Sequence, residues 1–359
     1  MPYYFQDQSV FSGKYELSGF KIGIDDEFYS LLNEAYGLVG RLNGTCQFVP
    51  NLDYYAKLLM IEESCASCEL DHIHVRFYDF FNSEEKANDL QFAVNHLKAV
   101  EYANNNAFSS SLLKTVHGIL ASGNIKESKY RSRSNIVSGE FYRRSDPERI
   151  YLSEIIPAIK EIKEHLTNAN YHNGLMAAAK IQYQLEILAP FDRYNKIIAR
   201  IIAMRVLKWA GLLDFPVLGL SNYFLDLKTE YNDRIDAAYR HDEGLLDVMW
   251  VKFFIKAVNE SAKKSINLIE SLANARRTHM AMLPQISNGS KSIQAIYDYI
   301  SETIIVNVRQ ISDVLGLSFG SVSKVMKIFE KTGIIRMLTP KERYRQYGYI
   351  PILDLIDIR

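Results

Sequence analysis

The chain has 359 residues, 48% of them hydrophobic, which is long enough for two or three domains with full cores and too apolar for a disordered chain. Lysine plus arginine and aspartate plus glutamate both number 42, so the whole-chain charge selects no class of partner and any such signal must come from local clusters. The opening Met1-Pro-Tyr-Tyr-Phe-Gln-Asp-Gln is not a secretory leader, no long apolar run spans a membrane, and three cysteines argue against a disulfide framework, so a cytoplasmic protein without a membrane partner is expected.

Residues 1–80 read as helical segments broken by turn signals at Asn43-Gly44 and Pro50-Asn51. Near the end of this region a helix carries Cys65, Cys68 and Glu69, with His72 and His74 just beyond. Cys65, Cys68 and His72 share a helical face. The run lacks the long gap between two ligand pairs that zinc sites use, so buried thiols on a core helix are expected and no metal is assigned. A long helical body covers residues 81–285, interrupted by a polar stretch at 128–148 that reads as a hairpin. Within it, Ile181, Leu185 and Leu188 fall at helical spacing and lead into residues 189–200, Ala-Pro-Phe-Asp-Arg-Tyr-Asn-Lys-Ile-Ile-Ala-Arg. A further helix is predicted over residues 198–213. Arg193, Lys196 and Arg200 stand at its start, where unpaired N–H groups and the helix dipole also favour an anion. Residues 286–290, containing Ser287-Asn288-Gly289-Ser290, have the composition of a flexible linker.

Residues 291–359 form a separate module. The first predicted helix, residues 292–302, puts Ile293, Ile296, Tyr297 and Ile300 on one face. Asn307 with Gln310 makes a capping box for a second helix over 308–315, and Gly316 ends it. Ser318 caps a third, whose Val322, Val325, Met326 and Phe329 form the buried stripe. Two strands follow, at 334–338 and 347–350, around a polar tip. Lys324, Lys327, Lys331, Arg336, Lys341, Arg343 and Arg345 face only Glu330 and Glu342 in this stretch, so the module is locally basic. On the third helix Phe319, Ser321, Ser323, Lys324 and Lys327 lie off the buried stripe and are expected in a DNA major groove, with Lys341, Arg343 and Arg345 on the backbone or minor groove. The same lysines would also fit a solvated face on a module that contacts only protein.

Residues 189–200 resemble the signature of the Fic (Fido) family of nucleotide transferases, His-Pro-Phe-x-Asp/Glu-Gly-Asn-Gly-Arg-x-x-Arg. Pro190, Phe191, Asn195 and Arg200 fall in register. Ala189 stands where the family has its general-base histidine and has no group to accept a proton. Arg193 stands at the carboxylate that holds Mg²⁺ and would repel it. Tyr194 and Lys196 replace two glycines that close the loop around phosphates, which predicts a distorted loop, and Ile197 replaces the first arginine. The resemblance continues in Trp209-Ala-Gly-Leu-Leu213 and Leu220-Ser221-Asn222-Tyr223, and in residues 130–135 and 148–151, similar to the two arms of the family's target-binding β-hairpin flap. Residues 61–70 resemble the family's inhibitory helix, Ser/Thr-x-x-x-Glu-Gly/Asn, whose glutamate pairs with the second motif arginine. The resemblance makes Glu69 and Arg200 that pair, with Cys65 in the hydroxyl position and Leu70 in the glycine position. The C-terminal module resembles a winged helix-turn-helix.

The resemblance implies a mainly α protein: a helical Fic/Fido core with a small β-hairpin flap, joined to a C-terminal winged helix-turn-helix of α+β type. It implies a site without a catalytic residue, in which Arg193, Asn195, Lys196 and Arg200 bind ATP, another nucleotide or some other anion without Mg²⁺, and a flap at 128–151 that takes a target protein. Family members self-associate, so a homodimer is one expectation. Three functions stay open. They are a DNA-binding regulator with an eroded transferase site, an adenylyltransferase working by an altered route, and a partner-protein interaction module.

Overall fold

The computed structural model describes residues 4–6, 21–23, 25–81, 88–132, 152–168, 174–240, 248–287, 291–339 and 345–356. The elements in chain order are β1 (Tyr4–Gln6), β2 (Lys21–Gly23), α1 (Asp26–Phe48), α2 (Leu52–Leu70), a short 3₁₀ turn (Phe77–Phe81), α3 (Asn88–Asn105), α4 (Ser110–Ser122), α5 (Leu152–Asn168), α6 (Gly174–Leu188), α7 (Asn195–Trp209), α8 (Ser221–Asp226), α9 (Lys228–Arg240) and α10 (Val248–Ser287). They continue as α11 (Lys291–Thr303), β3 (Ile305–Asn307), α12 (Val308–Leu315), α13 (Phe319–Lys331), β4 (Ile335–Met337), β5 (Gln346–Tyr349) and α14 (Ile350–Leu355). The protein is mainly helical, as its periodicity predicts. The chain divides into two compact units, one of residues 1–44, 59–75 and 87–265, the other of residues 45–58, 76–86 and 266–359.

In the first unit α6 and α7 are the most closely packed pair of helices. The run Ala177-Ala178-Ala179 has no bulk to hold a neighbour off, and both helices are buried on nearly every side. Gly174 opens α6 where a Cβ would come within 2.3 Å of the Ala210 Cβ just past α7, so the close approach of the two helix ends requires glycine. Trp250 of α10 is fully buried and donates its Nε1–H to Ala179 O at 2.9 Å, within an aromatic cluster of Phe224, Tyr231, Phe253 and Phe254. At α4, Ser109 caps by accepting from Leu112 N at 3.0 Å, and Gly123 ends the helix at φ 73°. The helix expected over 198–213 starts earlier, at Asn195, so Lys196 and Ile197 are helical, and it stops at Trp209 before Gly211 at φ 68°.

In the second unit Ile293, Ile296, Tyr297 and Ile300 of α11 are buried, as are Val322, Val325, Met326 and Phe329 of α13. Asn307 accepts from Gln310 N at 2.8 Å, Gly316 takes φ 64°, and Ser318 accepts from Ser321 N at 3.2 Å, so the N-caps are in place, while the Gln310 side chain donates to the Tyr299 hydroxyl at 3.1 Å where a capping box would turn it to Asn307 N. β5 pairs antiparallel with both β3 and β4, giving the strand order β3-β5-β4. Sequence periodicity did not anticipate β3 or α14. Both are short, and β3 becomes a strand only by pairing with β5, an interaction that local propensity does not encode. The hairpin tip at 340–344, the expected linker residues 288–290 and flap residues 133–151 lie outside the described residues.

Candidate functional site

The loop between α6 and α7 is set by two residues in the left-handed region, Ala189 at φ 40° and Tyr194 at φ 65°. Both conformations suit glycine better than a residue with a Cβ. Tyr194 nonetheless adopts this left-handed turn as the N-cap of α7. Its ring offsets the strain through packing, 4.8 Å from the Phe92 ring and 5.9 Å from His117. Arg193 is exposed and lies 5.2 Å above that ring. Within the loop the Asn195 side chain bridges Phe191 reciprocally, accepting from its N at 2.9 Å and donating to its O at 2.8 Å. Arg131 holds the outer edge, donating from its backbone N to Pro190 O at 2.9 Å and from Nε to Ala189 O at 2.8 Å.

Arg200, one helical turn further along α7, is 2% exposed. All three guanidinium nitrogens donate to protein acceptors. Nε reaches Ser67 Oγ at 3.0 Å, Nη1 reaches the Tyr231 hydroxyl at 3.4 Å, and Nη2 reaches Ser67 O at 2.9 Å and Asp71 Oδ2 at 2.5 Å. Burial alone would lower the Arg200 pKa, but Asp71, Tyr231 and Glu186 hold it above the ordinary value, so the cation is fixed. The network continues into α6. The Tyr231 hydroxyl donates to Glu186 Oε1 at 2.5 Å, and Gln182 Nε2 donates to the same oxygen at 3.0 Å. Burial raises the Glu186 and Tyr231 pKa values.

The carboxylate on Arg200 is thus Asp71 and not Glu69. Glu69 lies on the outer side of the α2 end, 40% exposed, and pairs with His74 Nδ1 at 2.8 Å. The pattern of a hydroxyl, three residues, a carboxylate and then a left-handed residue is met two positions later than expected, at Ser67, Asp71 and His72. His72 takes φ 61°, in the left-handed region. The physical reason is the exit from α2. The helix stops at Leu70, and the turn at Asp71 and His72 folds that carboxylate back toward Arg200. The signal was present in residue types, since Ser67 is a true hydroxyl residue whereas Cys65 is not.

The four residues expected to cradle an anion do not converge as free donors. Arg200 is ion-paired, Asn195 is turned into its own loop, and Arg193 is exposed against Tyr194. Lys196 donates to Asn232 Oδ1 at 3.1 Å, its pKa brought down to about 8 by burial, with Glu186 and Asp71 pulling the other way. The loop does not fit Mg²⁺ either. Arg193 keeps a permanent cation in the loop, and among the described residues no cluster of three His, Cys, Asp or Glu side chains could hold a metal. Cys68 is a fully buried thiol with its pKa pushed up to about 12 by burial. His117 of α4 escaped sequence reading. Its ring stacks on Phe191 at 4.3 Å and 13°, and burial, then Arg193, pushes its pKa down to about 4, so it is neutral at physiological pH. Only a motif linking α4 to the loop could have singled it out.

In the second unit Ser321, Lys324, Lys327 and Lys331 are exposed on α13 and Ser323 is half-buried. Ser321 is also part of the helix cap, with its Oγ 2.8 Å from Ser318 Oγ. Arg345 is exposed, whereas Lys341 and Arg343 lie outside the described residues. Arg336 pairs with Asp354 at 2.8 Å. Among the described residues no helix is long and apolar enough to cross a membrane.

No family model and no curated protein sequence matches the chain. Solved structures do. A Fic family protein from Desulfovibrio desulfuricans G20 superposes with a TM-score of 0.56 at 16% identity, over 91% of this chain and 96% of that one. A Fic domain containing signaling protein from Bacteroides thetaiotaomicron VPI-5482 superposes with a TM-score of 0.50 at 16% identity, over 68% of this chain and 98% of that one. At such identity the likeness is one of fold, and the fold of this chain is that of the Fic proteins.

Proposed function

We propose that this chain is a Fic-fold protein with a silent transferase site that acts as a DNA-binding regulator, residues 291–359 serving as a winged helix-turn-helix. The observation that carries the DNA reading is the division of α13. One face is buried through Val322, Val325, Met326 and Phe329, and the other carries exposed Lys324, Lys327 and Lys331. A solvent-facing line of lysines on the second helix of a capped helix-turn-helix pair suits the charged phosphate backbone. The silent site is supported by Ala189, which has no proton to take or give, and by Arg200, whose guanidinium is already engaged by Asp71, Ser67 and Tyr231. A nucleotide would have to displace that set before it could use Arg200. A homodimer and a target protein on the 128–151 flap remain part of the proposal on the resemblance alone.

The test replaces Lys324, Lys327, Arg343 and Arg345 by alanine in the full chain and measures binding to duplex DNA across salt concentrations. The parent should bind with a steep salt dependence. The variant should bind more weakly on every sequence, its log–log slope reduced by about one unit per phosphate no longer neutralised. The fold should persist because the apolar face of α13 is untouched. No DNA affinity at low salt, or equal affinity in the variant, would overturn the DNA reading.

A further inference from the structure

The exposed face of α13 changes character at its first turn. Gly320 heads the line continued by Lys324, Lys327 and Lys331, which follow at i+4, i+7 and i+11 and so share one side of the helix. A Cβ built on Gly320 meets nothing within 4 Å, and its φ lies outside the left-handed region. Nothing within the fold of this unit therefore requires glycine there, although glycine in a helix costs backbone entropy. Beside it Phe319 stands 59% exposed, an aromatic ring held in water at the start of a capped helix. Glu330, the one carboxylate of α13, is half-buried near the opposite end. The first turn thus exposes an aromatic ring, a glycine and a serine but no charge, and the later turns are basic.

We propose that this first turn is the part of the module that enters the DNA major groove, Gly320 letting the helix backbone approach the base edges and Phe319 contacting a thymine C5-methyl. The inference rests on the DNA reading above and deepens it by naming what reads sequence. Thymine alone presents a methyl group in the major groove, and an exposed phenyl ring is a chemical match for it. The lysines of the following turns then fall on phosphates, which position the helix without specifying sequence. A methyl group at position 320 would hold the helix away from the bases while leaving the fold intact.

The experiment uses the full chain and duplexes recovered by it from a randomised library. Binding is measured by fluorescence anisotropy for the parent, Gly320→Ala and Phe319→Ala, on the recovered duplex, on an unrelated duplex, and on the recovered duplex with deoxyuridine in place of thymidine. Gly320→Ala should weaken about tenfold on the recovered duplex, the scale of one mismatched base pair, while its binding to the unrelated duplex, its salt slope and its melting temperature stay at or above the parent's. Phe319→Ala should weaken by a similar factor, and removal of the thymine methyls should weaken the parent but leave Phe319→Ala unaffected. A parent that binds no duplex sinks the DNA reading itself. If the parent binds and Gly320→Ala matches it, or removing the methyls weakens Phe319→Ala as much as the parent, the DNA reading stands and this inference falls.

Discussion

Replacing Asp71 by alanine should destabilise the first unit far more than replacing Glu69, although the two carboxylates lie close together at the end of α2. Arg200 is 2% exposed, and Asp71 is the carboxylate directly paired with it. Breaking a buried pair from one side leaves an uncompensated charge and costs about 3–5 kcal/mol. The Asp71 side chain is 24% exposed, so water can partly replace it, and Ser67 and Tyr231 still accept from the guanidinium. The expected cost is therefore at the lower end, about 3 kcal/mol. For a unit of this size that lowers the melting temperature by roughly 6–12 °C. Glu69→Ala removes only an exposed pair with His74 and should change stability by less than about 0.5 kcal/mol. Trp209 and Trp250, the two tryptophans of the chain, both belong to the first unit, so their fluorescence follows its unfolding alone. Adding Arg200→Met to Asp71→Ala should restore much of the stability, because the stranded cation is gone. Equal shifts for Asp71→Ala and Glu69→Ala, or no shift for the former, would refute the reasoning.

Purified chain incubated with labelled ATP and Mg²⁺ should show no self-labelling above a heat-killed control, and Ala189→His should not rescue it. Position 193 would still repel the metal and Arg200 would still be engaged, so robust labelling by either protein would count against the silent site. Glu63 of α2 accepts from Ser221 N at 2.8 Å and from the Ser221 hydroxyl, with its pKa pushed up from 4.5 to about 7 by burial. Between those values the folded state holds more protons than the unfolded one, so stability is full below about pH 4.5 and falls as pH rises through 7. Glu63→Gln keeps an acceptor for Ser221, should flatten that decline, and should be the more stable protein at pH 8 by about 2 kcal/mol, less than full linkage because Glu63 keeps some solvent exposure. Urea midpoints for both proteins across pH decide it, and parallel curves would remove Glu63 as the cause.

The features legible in the sequence were those with a local cause. The caps at Asn307 and Ser318, the stop at Gly316 and the buried stripe of α13 each depend on residues within one or two turns, and each is found where spacing put it. The Arg200 partner was harder because the α2 exit decides it. The resemblance of residues 61–70 to the inhibitory motif implies Glu69, whereas the chain leaves the helix after Leu70 and turns through His72 in the left-handed region. Fixed spacing cannot report such a turn when the residue taking it is histidine rather than glycine. His117 and Glu186 were missed for a different reason. Each meets the loop region only through packing of α4, α6 and α9, and nothing in their own neighbourhoods sets them apart from core polar residues.

The loop between α6 and α7 is held by contacts that close within the protein. Tyr194 holds the left-handed turn of a glycine at some strain and offsets it by packing its ring on Phe92 and His117. Asn195 still bridges Phe191, and Arg200 still takes a hydroxyl and a carboxylate from α2 and its exit turn. Every one of these interactions closes within the protein and stabilises the junction of α2, α6 and α7. The positions that differ from the resembled motif are Ala189, Arg193, Tyr194, Lys196 and Ile197. Ile197 is fully buried, so that position belongs to the core. With the Asn195 and Arg200 side chains engaged inside the protein, the exposed lysines of α13 are the surface on which the proposed function is most directly tested.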